Sequence, residues 1–215
     1  MSDAAAEPER VELDLLDRAL VRRRGRNVAI AAVVVAAAFG GIVGLFGGPL
    51  GFAITAAVVG IPLLLLAWSE SRKTTWLTGS RVSVRAVGTR VVDLRAADRL
   101  DVLVTDLRGM RTVSLLAGGP PHGKTVTVAL AMYAGTGGRE LGVYPLRRIA
   151  DTLASVGSSH ALVLSELIVA QLRAEARGDG AAARPLYRLA SLAPQGRMAQ
   201  KLHPEAVARF VTGLG

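Results

Sequence analysis

Residues 118 to 125 read GGPPHGKT, which satisfies G-x-x-x-x-G-K-[ST], the pattern of a loop whose backbone N–H groups and lysine hold a nucleotide's phosphates. The chemistry would be nucleotide binding through Gly123, Lys124 and Thr125. That reading requires a helix straight after the lysine, because the phosphates sit at a helix N-terminus. From the lysine onward the chain runs KTVTVALAMYAG, in which Val126, Val128, Leu130 and Met132 alternate with Thr125, Thr127, Ala129 and Ala131. Alternation with many β-branched residues predicts a strand, and Pro120 and Pro121 each lack an N–H for phosphate. The motif is therefore expected to be a hairpin loop, with a membrane-tethered P-loop protein as the alternative.

The other reactive residue types are scattered. His122 falls in the proline loop, His160 beside a helix start and His203 before Pro204, with no second ligand at zinc spacing. Ser158-Ser159-His160 reads as a helix cap, since catalytic triads are assembled in space and not along the chain. Asp93, Asp98, Asp101 and Asp106 suggest a cation site. Their interleaving with Arg90, Arg95, Arg99 and Arg108 favours a solvated, charge-paired sheet face. No catalytic, cofactor-binding or metal-binding residue is assigned, and no enzyme activity is expected. The chain has no cysteine, which excludes thiolate chemistry and disulfides.

These segments are positioned by an unusual partition of charge. From Asn27 to Ser69 there is no Lys, Arg, Asp or Glu, while residues 1–26 carry six basic and six acidic side chains and residues 70–215 carry twenty and eleven. A helix of that length would reach roughly 65 Å, about twice a hydrocarbon core of roughly 30 Å. Gly47-Gly48-Pro49 at its centre supplies a turn, so two spans are expected at about 27–46 and 50–68. Pro62 is tolerable among packed spans, and Trp68 suits an interface. Arg22, Arg23, Arg24 and Arg26 precede the tract, and Arg72 and Lys73 come after it. The positive-inside rule then puts both termini in the cytoplasm, in a multi-pass protein of the plasma or inner membrane. Gly40, Gly44 and Gly48 share one helical face and are expected either to pack the two spans together or to join copies into a homo-oligomer.

Before the tract, residues 1–26 are read as an amphipathic juxtamembrane helix opening at Pro8-Glu9, with Val11, Leu15, Leu16, Ala19 and Leu20 on one side. After it, residues 74–156 show period-two segments at 82–86, 92–94, 100–104 and 113–115, then the strand from Thr125 and RELGVY. A helix starting at Pro145 comes next, with Leu146, Ile149, Ala150 and Leu153 at spacings of three and four. Residues 157–215 form a helical extension: one helix from Ser158 or Ser159 to about Arg177, the linker GDGAAARP, and the helical patterns LYRLASLA and PEAVARFV. The net charge of +9 comes with dispersed arginines and 4% aromatic residues, which argues against nucleic acid as a partner.

The two-span tract, TTWLTGSRVSVRAVGTRVVDLRAADRLDVLV and the helix PLRRIADTLA are similar to the bacterial pleckstrin-homology-like membrane proteins, over roughly residues 27–156. Ala97 stands where that family often has an aromatic residue. The resemblance implies an α+β membrane protein in which a two-helix hairpin precedes an antiparallel split β-barrel closed by a C-terminal helix. It also implies a cytoplasmic binding or scaffold module whose partners are the lipid bilayer and another protein. An accessory subunit of a membrane transport complex is the further alternative.

Overall fold

The computed structural model describes residues 9–16, 18–86, 88–121, 123–194, 196 and 198–214, with the side chains of residues 18–20, 22, 24, 70 and 71 outside the description. The expected helix start at Pro8, the arginine side chains at 22 and 24, and His122 thus lie outside the described residues. Two compact units are present: residues 16–74 with 85–88, and residues 1–15, 75–84 and 89–215.

The first unit is one helical run, α1 (Arg18–Ser71), in which Gly48 (φ 65°, ψ −165°) marks a kink between two helices. Glycine tolerates that left-handed φ, and Pro49 has no N–H to lose at the restart. Gly25–Ser69 is long and apolar enough to cross a membrane. Most of its large side chains are exposed, Phe46 at 91% and Leu45 at 84% among them, a surface that water would not favour. Small residues are the ones in close contact. A Cβ placed on Gly40 would lie 3.1 Å from the Phe52 ring and 3.2 Å from Ala56 Cβ; on Gly44, 3.0 Å from Phe52 Cβ; on Gly60, 3.0 Å from Ala36 Cβ. Residues before the kink thus touch residues after it. We expect Gly44→Ile to destabilise this packing by about 1–3 kcal/mol, because the added atoms have no room. Thermal loss of the helical signal in detergent would come several degrees earlier, while the pattern of crosslinked oligomers would stay the same.

The second unit holds two antiparallel sheets. One has the order β1 (Arg10–Glu12), β2 (Thr74–Thr78), β3 (Arg81–Arg85), β4 (Thr89–Asp93). The other runs β8 (Gly137–Glu140), β7 (Lys124–Ala134), β6 (Met110–Gly119), β5 (Arg99–Leu107), β9 (Gln200–Lys201). Among the described residues, a bridge between Val92 and Pro121, with Asp93 N–H donating to Pro120 O at 3.1 Å, ties them at one corner. The sheets do not close into a barrel. Four helices come after β8: α2 (Val143–Ala154), α3 (Ser159–Ala176), α4 (Pro185–Leu192) and α5 (Pro204–Thr212). Leu77, Val92, Val102, Val104, Leu115, Val128 and Leu130 share one core with Leu146, Ile149 and Leu153 of α2 and Leu164, Leu167 and Ile168 of α3. The strand alternation and the helical spacing of the sequence both point into that core.

Three expectations need correction. The segment Arg10–Glu12 is a strand and not the start of a helix. It pairs Arg10 with Thr78, Val11 with Leu77 and Glu12 with Trp76, burying Val11 and Leu13 while Glu12 stays exposed. An available sheet edge outweighs local helical spacing, and Asp14 Oδ1 accepting from Thr75 N–H at 2.8 Å fixes the segment further. Met132 does not continue the buried series of β7. The pairing slips between Val113 and Ser114, opposite Ala131 and Ala129, so Leu130 is an extra residue, a bulge that reverses the alternation and turns Tyr133 inward. Lastly, GDGAAARP is more than a linker: Ala181–Ala183 form a 3-10 turn, and Arg184 is bonded to Asp179 O at 2.8 Å.

Candidate interaction site

The GGPPHGKT segment joins β6 to β7. Gly118 pairs with Thr125 and Gly119 with Lys124, so Lys124 opens a strand. A strand, and not a helix, thus starts at the lysine, so the helix N-terminus on which a P-loop holds its phosphates does not form at this place.

Three of the four aspartates, Asp93, Asp101 and Asp106, have different partners. Asp93 Oδ1 accepts from Arg95 N–H at 3.0 Å and its Oδ2 lies 3.8 Å from Arg81 Nε. Asp106 Oδ2 is 3.5 Å from Arg111 Nε, and Asp101 Oδ2 is 2.8 Å from Lys201 Nζ. Asp101 is 4% exposed, so the expectation of a solvated face fails there. Among the described residues, no three His, Asp or Glu side chains could share a metal ion. Ser158 Oγ caps α3 by accepting from Ala161 N–H at 3.2 Å, as its position implied. His160 turns to the carbonyl of Leu100, 2.5 Å from Nε2, and His203 occupies the N-cap of α5 without a capping hydrogen bond from its side chain.

A polar network that the sequence did not suggest lies where the bulge directs Tyr133. Its hydroxyl donates to Glu140 Oε1 at 2.6 Å, and Glu140 Oε2 receives Arg184 Nη1. The Tyr133 ring meets Tyr187 edge-on, 5.1 Å between centroids at 76°, a geometry worth about 0.5–1.5 kcal/mol. Gly138 faces this ring across the β7–β8 pair, where any Cβ would collide with Tyr133 Cδ1. The network binds the segment around α4 to β7 and β8, and Gln171 Oε1, fully buried on α3, holds its start by accepting from Leu186 N–H at 3.0 Å.

Burial first, and then the bond to Glu140, raise the Tyr133 hydroxyl's pKa above the ordinary tyrosine value. A group whose folded pKa exceeds its unfolded one contributes stability that is present below the unfolded value, about 10, and lost above it. Unfolding of this domain should therefore become easier as pH rises past about 10. Tyr133→Phe should flatten that dependence in urea titrations between neutral and alkaline pH.

Beside the network is an open cleft of about 590 Å³, lined by the β5–β6 turn, by Tyr187, Ala190 and Ser191 of α4, and by Gly196 and Met198. Arg108 (φ 53°) and Gly109 (φ 78°) form the turn, both left-handed as a tight two-residue hairpin requires. Arg111 crosses the floor, donating from Nη1 to Ala190 O at 3.4 Å. Leu107 (57% exposed) and Met198 (77%) stand on the rim, and Met110 pairs with Leu107 across the turn. Exposed apolar side chains with arginines between them are the composition of a protein-binding surface. No family model, curated protein or solved structure matches this chain.

Proposed function

We propose that the protein is a membrane-anchored interaction module of the plasma or inner membrane. The charge-free tract crosses the bilayer as a hairpin, both termini are cytoplasmic, and the sheet-and-helix unit is a pleckstrin-homology-like domain that binds a partner protein at the membrane. The single observation that carries this reading is the apolar run Gly25–Ser69, kinked at Gly48, with Gly40 and Gly44 against Phe52 and Gly60 against Ala36. Two apolar helices in contact through glycine and alanine suit lipid, where close backbone approach replaces the hydrophobic effect as the source of association. In this reading Gly40 and Gly44 serve packing within the chain against Phe52, while Gly48, the third position of the face proposed for a homo-oligomer, stays open.

The domain assignment is supported by order: three strands that complete a first sheet with β1, then four in a second, then a helix whose Leu146, Ile149 and Leu153 enter the core. Arg72 stacked on Trp68 at 4.2 Å suits a membrane interface, where an aromatic ring and a cation are both accommodated. The exposed apolar rim of the cleft favours a protein partner, including a neighbouring subunit of a transport complex. The test is extraction and then copurification. The chain should stay with membranes through carbonate washing and bring a stoichiometric partner into mild detergent, and release of the chain by carbonate would end the membrane reading.

A further inference from the structure

Among the described residues, the outer edge of β5 is closed by the chain's own C-terminal segment over only part of its length. On its inner side β5 pairs with β6 along all nine residues, from Arg99 to Leu107. On the outer side the ladder has two pairs, Leu103 with Lys201 and Val104 with Gln200. Leu202 N–H adds one bond to Val102 O at 2.9 Å. Past Val104 the strand continues as Asp106 and Leu107 into the cleft, opposite Gly196 and Met198. The edge and the cleft are thus one continuous surface.

The fit of the resident segment is poor in its polar groups. Gln200 Oε1 is buried with no hydrogen-bond partner. Lys201 Nζ lies 2.8 Å from Asp101 Oδ2 yet too obliquely to hydrogen-bond it. Asp101 nevertheless fixes what must occupy this edge. A carboxylate only 4% exposed requires a cation beside it, and a strand edge accepts any extended backbone whose alternate side chains suit the face. Lys201 is two positions along the ladder from Asp101 on the same face, so here the added strand supplies the cation.

We propose that the outer edge of β5 is the docking site for an extended segment of a partner protein carrying Lys or Arg at the place of Lys201, and that residues 198–212 are its resident competitor. The proposal rests on reading this unit as an interaction module. A partner strand gains the edge beyond Val104 that the described residues of the resident leave unpaired, and it displaces β9 together with α5, which is held through Leu202, Val207, Phe210 and Val211. Because the resident is tethered, its effective concentration is on the order of millimolar, which sets a threshold the partner must exceed.

The test uses the full chain in detergent micelles and, as the probe, a fluorescent peptide with the sequence of residues 198–212. Lys201→Glu in the chain opposes two carboxylates and should free the resident strand, with loss of hydrogen-exchange protection at the Leu202 amide. Peptide binding should then tighten at least tenfold over the unaltered chain, and a peptide bearing Glu in place of its lysine should not show the gain. Lys201→Ala should give the same order with a smaller gain, which covers a misfolded Lys201→Glu chain. Retained protection at Leu202 in both variants, release without tighter binding, or equal binding of the Glu peptide would each overturn the proposal. So would a dimer of the unaltered chain that Lys201→Glu abolishes, since the edge would then serve a second copy. None of these variants touches the apolar tract, so membrane extraction reports on the anchoring independently.

Discussion

Glu140→Ala is expected to lower the stability of the sheet-and-helix unit by about 3 kcal/mol, as removal of one partner from a buried ion pair does. The Glu140 side chain is 9% exposed and serves two groups at once, accepting from the Tyr133 hydroxyl and from Arg184. Its loss leaves a buried phenol without an acceptor and a guanidinium, 23% exposed, without the carboxylate it is bonded to. Arg184 keeps its bond to Asp179 O and has some access to water, which holds the cost below the upper end for such pairs. Glu140→Gln should recover part of the loss by restoring an acceptor for Tyr133. Urea unfolding monitored by tryptophan fluorescence would measure both, and a change under about 1 kcal/mol for Glu140→Ala would mean that the C-terminal segment is held by apolar packing alone.

The second large effect is expected in the apolar tract. Val34 lies near the middle of the first proposed span and is 62% exposed. Val34→Arg would put a charge at mid-bilayer at a cost of about 2.5–3.5 kcal/mol, on the order of a hundredfold in the insertion equilibrium. The membrane-integrated fraction after carbonate washing should fall several-fold. Leu107→Arg, an equally exposed apolar position on the β5–β6 turn, should leave that fraction unchanged. If Val34→Arg extracts like the unaltered chain, exposure of the tract does not mean contact with lipid.

What the sequence made legible depended on whether the cause was local. The strand after Lys124 was implied by alternating β-branched residues, the cap at Ser158 by its place before an apolar helical pattern, and the place of the helix break by Gly47-Gly48-Pro49, where a tight turn was expected and a kink at Gly48 is found. Each is decided by the residues themselves within a few positions. The misses were decided at a distance. Val11 and Leu13 satisfy a strand as well as a helix, and the edge of β2, more than sixty residues away, settles the choice. The bulge at Leu130 leaves no mark in composition, yet it exchanges Met132 for Tyr133 on the buried side and so creates the network with Glu140, Arg184 and Tyr187. Asp101 looked like one of four exposed carboxylates because nothing near it announces that Gln200 and Lys201 return to cover it. The candidate interaction surface, built from the β5 edge and the loop before β9, was invisible for the same reason: its two walls are about ninety residues apart in the chain.

The absence of cysteine makes the central claim directly measurable, since single cysteines can be introduced into an otherwise thiol-free chain. Ser2→Cys, Gly47→Cys and Ser158→Cys, each alone, would be treated with a membrane-impermeant maleimide in sealed vesicles of known orientation. Ser2→Cys and Ser158→Cys should react from the cytoplasmic side and Gly47→Cys from the opposite side. Labelling of Ser2→Cys and Ser158→Cys from opposite sides, or of all three from one side, would contradict that claim.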